Sequence, residues 1–600
     1  MIGSKSNIDV IEPCRSGDIG LSTAAIGNGI VPMILCLVSA MTPLVFVAQL
    51  AEPYTAAKEI LVQAGTATAA LLWLLTVRSH LWSVPLTPAW VSLLVLVIVG
   101  SGSLLWSSNQ TMSFDEGRRM ATYVLLFATA LNVMGRADAR GALGIALTLA
   151  GAIEAVYVLW QYSTGDPFFA TGALAGKWQT FGTLGNPNWV GEFLAVAALV
   201  SVGLLFDLRQ NAAADMSARP YAGHLTLAAL LLMVLALAAT LARGAWLALI
   251  IGCLAFWLVR RYGKVARSGL TSYIVTVAVT CAAAIVVILL PLLSNQAAIK
   301  HLFNLKSING RILMSTVAGT MIGAAPWTGH GLGTFGLQFP NYQAEILSQP
   351  WAVTFIPNAS FTSYAHNDYL QLWAELGVFG LLAFGSLMWI VLRRGRKLAG
   401  DPVALGCWAA VISLLVNAAV AFPLHLPASL ILFVILIAVV ESSAVGKTVG
   451  GSSTPFAARA AVVLLTLTLC FSAYGLAYDR FVSEAALWRA DTSVRNGQWN
   501  EAEDDILTAT RHAPTRPGGL ILLARLNLER GEFAEALVAL EKAGRLGFDE
   551  EIFDLKAKAL EALGRSTEAV AVLNELIRLR PDLQWPSRRL SVLASEEKKQ

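Results

Sequence analysis

The sequence predicts an all-α protein, a polytopic transmembrane helical bundle of about 12–13 spans followed by a C-terminal α-solenoid. Three observations predict it. Hydrophobic residues make up 56% of the chain and charged ones only 14%, against about 25% charged in an ordinary soluble domain. Apolar stretches of about 20 residues recur through the first four-fifths of the chain, each long enough to cross a hydrocarbon core of about 30 Å at about 1.5 Å per residue. Beyond residue 477 the composition turns to charged, amphipathic helix with a period of 34 and then 33 residues. Open-edged sheet cannot satisfy its backbone inside lipid, so the apolar stretches are helices.

The spans are read in order. Gly29 to Leu50, Glu59 to Val77, Leu86 to Trp106, Met120 to Met134, Gly141 to Tyr162 and Trp189 to Phe206 form the first six. Leu225 to Leu241, Ala245 to Val259, Leu270 to Leu293, Leu370 to Leu392, Val403 to Ala421, Pro427 to Val440 and Ala457 to Ala477 complete the set. The chain then divides into a cytoplasmic tail (1–28), a polytopic membrane domain (29–477) and a repeat domain (478–600). Lys5 and Arg15 stand among polar residues rather than before a short apolar core, so the first span is expected to stay as an anchor. All cysteines but Cys14 lie in apolar spans without a CxxC pair, the pattern of buried structural thiols.

With the N-terminus inside, basic residues in the inner loops outnumber those in the outer loops roughly two to one, the bias that orients membrane proteins. Arg260, Arg261, Lys264 and Arg267, with Arg393, Arg394, Arg396 and Lys397, carry most of it. This orientation suits the inner (cytoplasmic) membrane of a bacterium. It makes 294–368 a long periplasmic loop, and loops of that length usually carry function. An odd number of spans puts the repeat domain in the periplasm as well.

Gly497, Trp499, Ala502, Ala509 and Pro514 recur as Gly531, Phe533, Ala536 and Ala543, then as Gly564, Ala569 and Pro581. Small residues let paired helices approach, the aromatic fills the gap and the proline ends the second helix. The pattern resembles tetratricopeptide (TPR) repeats, which implies a concave face for a protein partner.

The string HNDYLQLWAELGVFG opens the tenth span, so that His366 and Asn367 are followed after nine residues by Gly377 and Gly380. Upstream stand GTLGNPNW around Asn186 and Asn188, LARGAW around Arg243, and NGRILMSTVAGTMIGAAPWTGHGLGTF from Asn309 to Phe335. These pieces, in this order over roughly residues 180 to 440, resemble the O-antigen ligase and polymerase superfamily. Leu381 departs from the threonine that ligases tend to carry after the second glycine, which keeps polymerase and ligase both open.

The resemblance implies a GT-C-like glycosyltransferase working on a polyprenyl-diphosphate-linked glycan, with a lipid, glycan or protein hydroxyl as acceptor. Its implied catalytic residues are His366, Arg243 and Arg311; Asn186, Asn188, Lys177 and Asn367 are implied in substrate binding. The residue types suit that chemistry. Planar guanidinium forks bind phosphate oxygens in pairs, and an arginine between two apolar spans is costly unless it faces water, headgroups or an anion. An imidazole takes a proton near neutral pH. Arg118 and Arg119 are candidates for additional positive field, and Glu375 for pairing an arginine.

Gly331, Gly333 and Gly336 spell G-x-G-x-x-G but follow Pro326 and Trp327 in the outer loop rather than a strand, which argues against dinucleotide binding. The sequence holds no Walker lysine motif, HExxH or CxxC set, so no metal, cofactor or nucleic acid is expected beyond membrane lipids and the lipid-linked glycan. Two alternatives from other classes are a polysaccharide transporter or flippase, and a non-catalytic membrane scaffold for the repeat domain.

Overall fold

A computed structural model describes residues 23–76, 87–165, 180–212, 220–262, 305–445 and 456–597, and every regular element among them is helical. The expected ninth span, Leu270 to Leu293, and most of the N-terminal tail lie outside the described residues. The other twelve expected spans all fall on helices, of which nine are long and apolar enough to cross a membrane.

The membrane helices are α1 (Thr23–Leu44), α2 (Ala56–Thr76), α3 (Pro88–Gly102), α4 (Gln110–Val133), α5 (Ala137–Thr164), α6 (Pro187–Ala212), α7 (Pro220–Ala239) and α8 (Arg243–Tyr262). Helix α4 starts well before Met120 because the Asn109 side chain caps it, accepting from the Met112 amide at 3.1 Å. Its first turns therefore carry Asp115, Glu116, Arg118 and Arg119 at the bundle's rim.

After the undescribed stretch come α9 (Leu305–Ala324) and α10 (Phe335–Leu347) of the long loop, then α11 (Asp368–Arg394), α12 (Pro402–Ala418) and α13 (Pro427–Val445). Apolar on every side, α6 is the axis of the bundle, and nearly all of it is buried. Between helices in lipid, close packing rather than hydrophobic transfer holds elements together. Gly203 of α6 accordingly meets Gly406 and the Pro402 carbonyl of α12 so closely that an added Cβ would lie 2.5 Å from that oxygen. The outward faces of α5 and α8 carry exposed Ile145, Leu149, Ile153, Leu247, Ile250 and Leu254, the apolar surface a lipid-facing helix presents.

The two ends of the bundle differ. At one, basic residues join helices: Arg394 pairs with Glu441 at 2.9 Å, Arg140 with Asp401 at 2.6 Å, and Arg260 donates to the Ala399 carbonyl at 3.0 Å. At the other lie the α7–α8 turn, the loop 305–367 and the repeat helices, which interlock there.

The last membrane helix does not stop at the membrane. Helix α14 (Phe456–Arg495) is unbroken for 40 residues, about 60 Å at 1.5 Å per residue, and the compositional boundary at 478 falls inside it. It packs along α2 and then against α15 (Trp499–His512). Helices α16 (Gly518–Glu529), α17 (Phe533–Gly544), α18 (Glu550–Ala562), α19 (Ser566–Leu579) and α20 (Trp585–Glu597) continue as consecutive hairpins.

The repeat seen in the sequence is a repeat of one turn. Gly497, Gly531 and Gly564 take φ of 75°, 77° and 70°, the left-handed region in which glycine carries no Cβ penalty. The next residue's amide then reaches back to close each helix: Gln498 to Ser493 at 2.9 Å, Glu532 to Asn527 at 2.8 Å and Arg565 to Leu560 at 2.8 Å. This is the glycine-closed helix end that satisfies the last carbonyls.

Candidate functional site

Arg243 is the first residue of α8, after a turn of three residues from α7. Leu241 in that turn has φ of 55°. The Trp246 indole holds it by donating to the Leu237 carbonyl at 3.0 Å. Gly244 allows the turn to sit against Asn417 and Val420 at the end of α12, where a Cβ would lie 2.9 Å from the Asn417 amide oxygen.

His366 reaches the same α12 end from the other side. Asn367 caps α11: its Oδ1 accepts from the amides of Tyr369 and Leu370 at 3.0 and 3.1 Å, and its Nδ2 donates to the Ala419 carbonyl at 3.0 Å. The Ala365 amide is held by the Gln371 side chain at 3.0 Å. Between these anchors His366 takes φ of 52°, and its ring stands edge-on to Phe422 at 4.7 Å between centroids. Among the described residues, Leu241 and His366 are the only non-glycine residues with positive φ. Such conformations cost about 1–3 kcal/mol and persist where the surroundings over-determine them, commonly at functional sites.

Arg311, half-buried on α9, completes the group and pairs with no carboxylate among the described residues. Burial lowers its pKa and the charge of Arg243 lowers it further. Burial, with the Arg311 charge added, lowers His366 from 6.5 to about 4. The three residues named from the sequence thus share one electrostatic neighbourhood, two cations with a neutral imidazole. The N-termini of α6, α8 and α11 meet here, Gly191 of α6 packing on Ala242 and Ala245. The positive ends of their helix dipoles add to the field.

Asn186 caps α6 and accepts from the Asn188 amide at 2.9 Å, while Trp189 lies against Phe422 at 6.2 Å between centroids. Both asparagines therefore stand beside the group, and Asn186 and Asn367 also spend their side chains on fixing helix ends. Lys177 lies outside the described residues.

Other expectations are corrected. Arg118 and Arg119 do not add positive field to this group: Arg118 bonds Ser472 at 3.2 Å and Asp115 at 3.5 Å, and Arg119 pairs with Glu59 at 2.9 Å and Glu116 at 2.6 Å. Among the described residues Glu375 pairs with no arginine; it accepts from the Gly333 amide at 2.7 Å and the Gln371 side chain at 3.1 Å.

Gly377 is not a helical packing position: with φ of 66° and ψ of −170° it breaks α11. The segment 326–335 docks into the break, His330 and Gly331 donating to the carbonyls of Ala374 and Glu375 at 2.9 Å and Val378 donating to Pro326 at 3.0 Å. A Cβ on Gly377 would lie 2.0 Å from the Trp327 oxygen. Two glycines of G-x-G-x-x-G serve this docking, Gly331 and Gly333 turning with φ of 110° and 76°.

One feature escaped the sequence reading. Tyr364 lines a cavity of about 660 Å³, stacks on Phe422 at 4.4 Å and lies 5.4 Å from His425, so that the rings of Phe422 and Tyr364 stand between His366 and the cavity. His425 is bonded to Asp368 at 2.7 Å, and Asp368 also accepts from the Leu424 amide at 2.9 Å. Burial alone would lower the His425 pKa, but the Asp368 bond and charge, with Glu375 and Glu116, raise it to about 9. Across the cavity, Arg480 pairs with Glu52 at 2.6 Å and Glu59 at 3.1 Å, and Arg516 with Glu52 at 3.2 Å. The only signal of this cluster in the sequence is a charge at the end of an apolar span, as at Glu59.

Residues 228–385 match the family model described as O-Antigen ligase, a stretch that includes Arg243, Arg311, His366 and Gly377. No curated protein matches the chain.

Proposed function

We propose that this membrane protein of O-antigen ligase type transfers a glycan from a polyprenyl diphosphate to an acceptor hydroxyl at the periplasmic face of a bacterial inner membrane. One observation carries the reading: Arg311 and Arg243 are drawn together beside a neutral His366, with no carboxylate paired to Arg311 among the described residues, at the end of the bundle away from its basic loops. Arg311, beside a second guanidinium and without a carboxylate among the described residues, calls for an anion, and a diphosphate offers several oxygens to such a fork.

In this mechanism the acceptor oxygen attacks the anomeric carbon and its proton passes to the His366 imidazole. The bond from that carbon to the diphosphate oxygen breaks, the electron pair leaving with the diphosphate and inverting the sugar. Arg243 and Arg311 stabilise the charge growing on the leaving group, the kind of preorganised electrostatic term that is usually the largest in catalysis. Asn367 holds His366 in place, and the α6 start with Asn186 and Asn188 borders the donor. No nucleotide is needed, because the diphosphate bond supplies the driving force. The 34- and 33-residue hairpins are read as tetratricopeptide repeats on the same periplasmic side, with an outward face for a protein partner.

The test is transfer from a purified lipid-linked donor by the full chain and by His366→Ala and Arg311→Ala. Losing one electrostatic donor costs about 100- to 1,000-fold in kcat, and losing the base about 100- to 10,000-fold. Unchanged transfer by either variant would remove the catalytic reading, and no transfer by the unaltered protein would revive a transporter.

A further inference from the structure

Helix α6 is apolar from Pro187 to Phe206 except for one charged side chain, Glu192. That residue is 3% exposed and does not line the cavity. An ionisable group inside a membrane bundle is costly, and where it occurs it has a partner and usually a task. Its partner is Asn417 near the end of α12, whose Nδ2 donates to Glu192 Oε2. Ser429, at the start of α13, borders the same carboxyl. Three helices thus meet at one polar point. Stability does not account for this clasp. Among the described residues Glu192 Oε1 has no hydrogen-bond partner, and a buried oxygen without a donor costs free energy, whereas apolar side chains of the same shape would cost little or nothing.

The end of α12 that Glu192 holds is the ledge on which both halves of the arginine group rest. On the α11 side, the Ala419 carbonyl accepts from Asn367, the neighbour of His366, at 3.0 Å, and the Leu415 carbonyl accepts from the Tyr369 hydroxyl at 2.8 Å. On the α8 side, Gly244, the neighbour of Arg243, sits against the Asn417 side chain and Val420. Helix α6 meets the same turn, because Gly191, next to Glu192, packs on Ala242 and Ala245. Arg243 is therefore wedged between α6 and α12, while His366 is tied to α12 through Asn367. The separation of the two helices at this level sets how the guanidinium and the imidazole face each other. Their close contact at Gly203 and Gly406 lies farther along the bundle, about 16 Å away at about 1.5 Å per residue. Glu192 and Asn417 are the hydrogen bond that fixes them beside the site.

We propose that Glu192 is a positioning residue for transfer: through Asn417 it holds the end of α12 at the distance from α6 that aligns His366 with Arg243. The inference rests on the proposed transferase reading and adds to it a residue that acts through its neighbours. Its leverage is large, because a misplacement of about 1 Å that starts far from the chemistry can cost about 100-fold in rate.

The experiment uses the full chain in lipid nanodiscs and a labelled polyprenyl-diphosphate-linked glycan as donor. The acceptor is lipid A core or a second copy of that glycan, whichever the unaltered protein uses. Rates are taken per donor-binding site, counted with the same donor before acceptor is added, so that misfolded protein does not enter. Glu192→Met and Asn417→Leu each remove the clasp and are expected to lower kcat per site about 10- to 100-fold. Donor affinity should change by less than about threefold, because Arg311 stands on α9 away from the clasp and the loss falls on the transition state. Glu192→Gln keeps a carbonyl oxygen for Asn417 and should stay within about threefold of the unaltered protein. The double variant Glu192→Met with Asn417→Leu should be no slower than the slower single one, since both delete the same bond. A single variant as fast as the unaltered protein, Glu192→Gln as slow as Glu192→Met, losses that multiply in the double variant, or donor affinity falling as far as kcat overturns the inference. If Asn417→Leu leaves no donor-binding sites, Glu192→Met against Glu192→Gln carries the test. No transfer by the unaltered protein overturns the proposed function and this inference together, whereas transfer indifferent to the clasp overturns this inference alone.

Discussion

The state of His366 makes a quantitative prediction for catalysis. Its pKa near 4 in the unliganded protein leaves about 97% of the imidazole neutral at pH 5.5, whereas an ordinary histidine of pKa 6.5 would be only about 10% neutral. The profile of kcat/KM reports the free enzyme, so it should fall by only a few per cent between pH 7 and pH 5.5, where an ordinary histidine would give about a tenfold fall. The profile of kcat should behave differently. Once the diphosphate lies beside Arg311 and Arg243, it offsets the Arg311 charge that depresses His366, so the acid limb of kcat should move up in pH relative to that of kcat/KM. The donor's diphosphate is esterified at both ends and does not itself titrate in this range. The assay is initial transfer rate at several donor concentrations from pH 5 to 8, with His366→Gln as the control that abolishes the limb. A tenfold fall of kcat/KM by pH 5.5 would refute the desolvated imidazole. Coincident limbs for kcat and kcat/KM would refute an anion beside it.

Two further predictions concern the scaffold of the site. Gly377→Ala puts a Cβ 2.0 Å from the Trp327 oxygen in a backbone region that suits glycine, which should cost about 2–5 kcal/mol from backbone strain and overpacking together. Thermal unfolding in detergent would register it, and an unchanged midpoint would show that segment 326–335 does not need the break. His425 is raised above its unfolded value, so its bond to Asp368 contributes stability that is complete below pH 6.5 and lost as pH rises through about 9. Unfolding midpoints should decline across that window in the unaltered protein and stay flatter in Asp368→Asn; parallel slopes would dismiss the pair as a stabilising element.

The sequence located the membrane helices well because an apolar run of span length has only one backbone solution in lipid. Arg243, His366 and the repeated glycines stand out in the sequence because each sits where a local pattern breaks: a charge between spans, a polar pair at a helix start, a glycine at fixed period; Arg311 has no such local signature and is singled out only by the resemblance. The cavity was not legible. Its outer charges come from Glu52, Glu59, Arg119, Arg480 and Arg516, spread over more than 400 residues of the chain, and each alone reads as an interfacial charge. Nor was the break at Gly377 legible, because a glycine inside an apolar helix pattern has the same local signature whether it packs a neighbour or ends a turn.

The position of the cavity's outer wall in the chain has a consequence for biogenesis. Arg480 and Arg516 belong to the last fifth of the polypeptide, so the trough between α2, α4, α11 and α13 is complete in outline but uncovered while the repeat helices are still being made. Until then Glu52 lacks both Arg480 and Arg516, and Glu59 keeps only Arg119. Closure of the chamber therefore waits on synthesis of the repeat helices, and a protein shortened at residue 478 would be left permanently at the stage before it.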